Sequence, residues 1–156
     1  MIHIAGAVSS LYPQAVASNG TNGFLVVDTR PTTGERYEAI RFVSMVGPGA
    51  ATTAPTTWAL SESNDTNASN YATVSGFVGG TNAAGGFTIP SIATSAGSGK
   101  TVVFNLNLRN TRKRYLKVSV VPGTTATVAI IAVASQPNLN IPPNTTGSGG
   151  DFNLYG

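Results

Sequence analysis

Cysteine is absent from the 156 residues, and histidine occurs once, at His3. The first absence excludes disulfide staples, thiolate nucleophiles and cysteine-based zinc or iron–sulfur sites. The second leaves a histidine-rich metal site or a Ser-His-Asp triad with almost nothing to work with. Charge is scarce too. Only 10% of residues are Asp, Glu, Lys or Arg, against about 25% in an average soluble domain. No apolar run approaches the ~18–20 residues of a membrane-spanning helix. The opening Met1-Ile2-His3-Ile4-Ala5-Gly6 lacks the basic start and long apolar stretch of a secretion signal. The expectation is synthesis and assembly in a cytoplasm, although a chain without thiols is indifferent to redox compartment. Helix-favouring residues are nowhere concentrated at a 3.6-residue period, so no helix is predicted.

What is present is enough apolar residue for a core and many turn formers. The chain is 41% hydrophobic, with 18 glycines and 9 prolines, and its length fits one domain with room for an arm. β-Branched and aromatic runs alternate with Gly, Pro, Asn, Ser and Thr clusters. The clearest strand candidates are Gly23–Val27, Tyr37–Val46, Thr57–Ser61, Ala72–Val78, Thr101–Leu108, Tyr115–Val121 and Ala126–Ala134. Leu11–Ala17 and Phe87–Ala93 are weaker, because Pro13 and Pro90 demote them to edges or bulges. Short strands with turn signals between them predict an all-β fold: an antiparallel β-sandwich, jelly-roll-like, as a single domain with an extended C-terminal arm. The domain is expected over residues 19–135, preceded by an N-terminal segment, 1–18, that forms either an edge strand or an arm.

The strongest local pairing signal joins Tyr115–Val121 to Ala126–Ala134 through Pro122-Gly123-Thr124-Thr125, which predicts a hairpin. In its first strand Leu116, Val118 and Val120 share one face. Its return strand is apolar on both faces, so it is either central in a covered sheet or buried against another subunit. In the C-terminal arm, 136–156, Pro137, Pro142, Pro143 and Gly147-Ser148-Gly149-Gly150 have the composition of a disordered tail. The apolar beads Leu139, Ile141, Phe152, Leu154 and Tyr155 favour instead an arm that docks on a neighbour.

Few residues carry chemistry. Ser95-Ala96-Gly97-Ser98-Gly99-Lys100-Thr101 superficially matches a phosphate-binding loop, but Thr94 stands where the first glycine is needed and a strand, not a helix, follows. Ser61–Asn70 is rich in oxygen ligands, yet Glu62 and Asp65 are its only carboxylates and the spacing of a calcium loop is missing. Turn formation accounts for it. Trp58 is expected to pack in the core. No catalytic, cofactor or metal site is expected. The basic cluster Arg109, Arg112, Lys113, Arg114 and Lys117 holds five of the nine positive charges. It reads as a solvated loop or as a surface that steers an acidic protein partner. Nucleic acid ranks last, since only Tyr115 is at hand for stacking.

Three blocks, in order, resemble a known family. They are Asn19–Gly23 leading to Val26-Val27-Asp28-Thr29 and Tyr37-Glu38-Ala39-Ile40-Arg41-Phe42-Val43; Trp58–Asp65 with Asn70–Val74; and Lys113-Arg114-Tyr115-Leu116-Lys117-Val118-Ser119-Val120. Together they resemble the capsid decoration, or cement, proteins of tailed-bacteriophage heads. The resemblance spans about Asn19 to Ala134, and it departs at Arg30–Arg36 and Gly76–Gly99, which are longer than the pattern. It implies a non-enzymatic virion protein on the outside of an icosahedral shell. The partners it implies are the major capsid protein and the chain itself, as a homotrimer, with no nucleic acid, membrane or cofactor. Under it Arg109, Arg112, Lys113 and Arg114 would meet acidic capsid surface, and the arm beads would cross to a neighbour. A phage tail or fibre module, or a carbohydrate-binding β-sandwich, is the alternative.

Overall fold

The structure is a computed structural model that describes residues 6–16, 22–30, 37–47, 54–80, 86–89, 99–108, 112–123, 125–135 and 152–155. Among the described residues ten strands follow one another: β1 (Gly6–Val16), β2 (Gly23–Asp28), β3 (Ala39–Val46), β4 (Thr57–Ser63), β5 (Ala72–Gly80), β6 (Phe87–Thr88), β7 (Lys100–Asn107), β8 (Tyr115–Val121), β9 (Ala126–Ser135) and β10 (Phe152–Tyr155). Among the described residues the only helical turn is a short 3-10 helix at Ala68–Asn70.

The strands form two five-stranded sheets. Sheet A has the order β1-β9-β3-β7-β10 and sheet B the order β2-β8-β4-β5-β6. The sheets pack face to face as a β-sandwich with antiparallel pairing throughout, apart from the parallel pairs β10·β7 and β5·β6. The alternation seen in the sequence sets the faces. In β3, Ile40, Phe42, Ser44 and Val46 point inward; in β8, Leu116, Val118 and Val120 do; in β9, Val128, Ile130, Ala132 and Ala134 do. Phe104 sits near the centre, 5.9 Å from the Phe77 ring and 6.0 Å from the Phe87 ring, distances typical of tilted aromatic pairs.

Two sheets must also be tied where their polar atoms are buried. Trp58 of β4 is fully buried, and its indole N–H donates to Ser44 Oγ of β3 at 2.7 Å. Ser44 Oγ in turn donates to the Val102 carbonyl of β7 at 2.9 Å. The lone tryptophan is therefore a core residue with its polar edge satisfied, as such a side chain requires.

The expected hairpin between Tyr115–Val121 and Ala126–Ala134 does not form. β8 pairs with β2 and β4 in sheet B, while β9 pairs with β1 and β3 in sheet A. The chain after Val121 therefore passes from sheet B to sheet A, which lie ~10 Å apart in such packings. Pro122 is buried there, and it has no N–H to continue a ladder. The weak N-terminal candidate is longer than its sequence signal: β1 runs the length of β9, with a register shift between Leu11 and Gln14, where Pro13 interrupts donation. Of the strand expected at Phe87–Ala93, Phe87–Thr88 forms β6, and Pro90–Ala93 lie outside the described residues.

The pairings follow a single plan. β1 lies on β9, β2 on β8, β3 on β7 and β4 on β5. The first four strands pair in reverse order with later ones, so the chain is a two-stranded ribbon folded back over itself into two layers.

Candidate functional site

Charge collects at one end of this sandwich. The end of β2, the end of β4, the starts of β3 and β8 and the end of β7 all meet there, as their registers require. Asp28, Arg30, Glu38, Glu62, Asp65, Arg112, Lys113 and Arg114 lie on or beside these strand ends, whereas Lys100, at the start of β7, stands at the opposite end.

Arg114 is held in a two-pronged grip. Its Nε donates to Asp28 Oδ1 at 3.0 Å and its Nη2 to Asp28 Oδ2 at 2.7 Å, the paired fork geometry that makes arginine–carboxylate contacts strong. The hydrogen bonds from Arg114 hold the Asp28 carboxyl below its ordinary value of 3.8, against a smaller opposing effect of burial. Asp28 Oδ1 also accepts the backbone N–H of Arg30 at 2.9 Å. Next door, Thr29 donates both its N–H and its hydroxyl to the Arg114 carbonyl, at 2.9 and 2.8 Å, extending the β2–β8 ladder by one residue. The Arg114 guanidinium lies 5.0 Å from the Tyr115 ring centroid, within cation–π range.

Arg112 is placed differently. Its Nη1 is 4.0 Å from Glu62 Oε2, and the same oxygen accepts the Lys113 backbone N–H at 3.4 Å. Arg112 Nε is buried and has no hydrogen-bond partner among the described residues. Thr29, Arg30, Tyr37, Leu108 and Arg112 line a cleft of about 260 Å³ at this end. Lys117 projects from β8 with Nζ 4.3 Å from the Tyr71 ring centroid. Tyr71 is pushed above its ordinary pKa, mainly by burial.

Of the residues singled out in the sequence, Arg112, Lys113 and Arg114 are thus brought together, two of them beside carboxylates of their own chain. Arg109, Leu139 and Ile141 lie outside the described residues. Phe152, Leu154 and Tyr155 belong to β10, whose backbone pairs with β7 of the same chain from Phe152↔Val102 to Tyr155↔Asn105. The oxygen-rich loop is occupied with itself: Asp65 accepts from the Asn67 N–H and the Asn70 side chain, both at 2.8 Å. Asn67 Oδ1 accepts the Ser69 N–H at 3.1 Å and caps the 3-10 helix. Among the described residues no cluster of His, Asp and Glu could hold a metal ion. Lys100 and Thr101 open β7 rather than a helix, so no helix N-terminus is there to face a phosphate.

The sequence reading missed Asp28 and Glu62 as partners of the basic cluster. The separation of 86 positions between Asp28 and Arg114 leaves no local spacing signal, and only the β2–β8 register joins them. It also missed Tyr71, which supplies a second aromatic beside the cluster. Comparison with known proteins adds no relative: no family model, no curated protein and no solved structure matches this chain.

Proposed function

We propose that this chain is a structural virion protein, a decoration or cement protein that binds the outside of an icosahedral phage head as an oligomer and stabilises it. The observation that carries the reading is the ribbon winding, β1·β9, β2·β8, β3·β7 and β4·β5, which we read as a jelly roll. That architecture recurs in viral capsid and lectin domains, and the support is an analogy at the level of fold. The three sequence blocks that resemble decoration proteins fall on β2–β3, β4–β5 and β8, five of the eight strands in this winding.

The outer face of sheet A fits a protein that packs on copies of itself. Met45 and Ile131 are each 37% exposed there, and Val43 and Val133 beside them are half-buried. The pleat aligns them in adjacent rows, Met45 with Ala129 and Val43 with Ile131, giving an apolar strip of the kind that marks interaction surfaces. The mechanism is mechanical and not enzymatic. An oligomer that binds only the assembled shell stabilises that state by mass action, and several weak contacts add through effective concentration. Its place is the capsid exterior, after assembly in the host cytoplasm, with the major capsid protein and other copies of the chain as partners.

A tail or fibre module, or a carbohydrate-binding module, is the second reading, favoured by Phe24, which is 51% exposed on the outer face of sheet B. The copy number of the chain in purified particles, measured by quantitative mass spectrometry against the shell protein, separates the two. A simple fraction set by shell symmetry supports decoration. A handful of copies moves the protein to the tail, and absence from particles overturns both.

A further inference from the structure

The outer face of sheet A carries a strip of apolar side chains that the folded chain leaves open. Met45 and Ile131 are exposed there, while Ala129 is small and buried and Val43 is half-buried. The β3·β9 register places Met45 beside Ala129 and Val43 beside Ile131. High and low positions therefore alternate diagonally. The projections are Met45 on β3 and Ile131 on β9; the low positions are Ala129 on β9 and Val43 on β3. Charge is nearly absent. The five strands of sheet A hold no acid and two bases, Arg41 and Lys100. Lys100 is in step with the inward-facing Val102 and Phe104. Arg41 Nε donates to Asn105 Oδ1 at 2.7 Å, which draws the guanidinium toward β7 and away from the strip.

We propose that this face pairs with the same face of a second copy, around a twofold axis that runs along the strands midway between β3 and β9. Such an axis lays β3 of one copy over β9 of the other. Met45 then sits on the low position at Ala129 of the second copy, and Ile131 on the low position at Val43. By symmetry both contacts recur in reverse, as an isologous interface requires. Sheets stack face to face in this way about 10 Å apart with their strands aligned. The pattern of heights selects the occupant, because it is complementary to its own image. A partner recognised through charge finds no carboxylate on this face to read. Area agrees. From the usual strand spacing and rise, the face of sheet A measures roughly 600 Å² per copy. Two copies would bury on the order of 1,200 Å², the lower end of stable specific interfaces. The inference names the contact between copies that the proposed function calls for; it rests on that reading for its setting on a particle, while the pairing stands on the face alone.

The test is the mass of the full chain in solution, by light scattering and sedimentation over a range of concentrations. A two-chain mass that falls to one chain on dilution is expected. Ile131→Lys, at an exposed position, should raise the dissociation constant about 30-fold or more and leave the far-ultraviolet spectrum unchanged. Met45→Ala sets a low position on a low position, and Ala129→Met a projection on a projection, so each should weaken the pair. The double variant exchanges the two heights and should recover most of the loss, a coupling that separate effects on folding would not produce. A single-chain mass at every concentration gives the face to another occupant, a different protein or a further part of this chain, and overturns the pairing. A dimer indifferent to Ile131→Lys overturns the choice of face. A three-chain mass overturns the twofold contact and leaves the virion reading standing, since that reading falls on the copy number in particles.

Discussion

The indole N–H of Trp58 in sheet B reaches Ser44 Oγ in sheet A at 2.7 Å, so one side-chain hydrogen bond crosses the core and joins the two layers. Because Ser44 also donates to the Val102 carbonyl, three strands from both sheets share one polar chain in an otherwise apolar interior. Such a bond contributes little net stability when made, but breaking it leaves a buried donor unsatisfied. Ser44→Ala should therefore cost about 1–3 kcal/mol. Trp58→Phe should cost more, since it adds a cavity. The double variant should cost measurably less than the sum, because the bond is lost only once. Urea melts of the four proteins check this, and strict additivity would show the bond to be inert.

The Asp28–Arg114 fork makes stability depend on acid. The folded-state pKa of Asp28 is depressed below 3.8, so the pair's contribution is present above the unfolded value and is lost as pH falls through the folded one. Asp28→Asn should melt lower than the parent at pH 7, and the gap should close as pH drops toward about 2. Both side chains are roughly a third exposed, so salt should narrow the gap as well. Thermal melts at several pH values decide it; a gap independent of pH would mean that Asp28 acts through its backbone contacts.

Gly79 in β5 has no room for a side chain. A Cβ there would lie 2.5 Å from Ile89 Cγ1 and 2.9 Å from the Trp58 carbonyl oxygen. Backbone cannot yield as a side-chain tip can, so Gly79→Ala should destabilise by about 1–3 kcal/mol. Gly76, with φ +85° and open space around it, gives a contrast in which alanine is opposed by backbone conformation alone. Denaturant midpoints of the two variants report the difference.

Ending the chain at Ser135 removes β10 and bares the outer edge of β7. An open edge presents unpaired N–H and C=O groups to any other strand. The shortened chain should keep its far-ultraviolet β signature, melt a few degrees lower and self-associate more at high concentration. Light scattering after size exclusion reads the last effect. Under the proposed function it should also fail to decorate shells as the full chain does; unchanged behaviour in both would leave the arm without a role.

Local patterns reveal the strands, and they stop there. Leu116, Val118 and Val120 announce an inward face because period-two alternation is a direct print of the pleat. The doubly apolar Ala126–Ala134 run leaves two readings, a strand central in a covered sheet or one buried against another subunit; β9 does lie between β1 and β3, while Ile131 on its outer face stays exposed. Which strand lies beside which is set by contacts distant in sequence, and a four-residue Pro-Gly-Thr-Thr link serves a hairpin or a corner equally well. The charged end shows the same limit. The basic run from Arg112 to Lys117 is plain in the sequence, but its carboxylates arrive from β2 and β4. The burial of Arg112 Nε, without a partner among the described residues, is a consequence of three-dimensional packing and leaves no trace in residue order.

The register of the two edge strands has a practical consequence. Gly6 at the start of β1 lies level with Ala134, and Tyr155 at the finish of β10 lies level with Asn105, one row away across sheet A. Four inter-strand steps separate them, about 19 Å at the usual spacing, and both stand on the side of the sandwich that carries the arginine cleft. A payload grafted beyond either strand would crowd that cleft and anything seated in it. Cargo for display belongs at the other extremity, where the Pro122–Gly123 corner offers an insertion point clear of both.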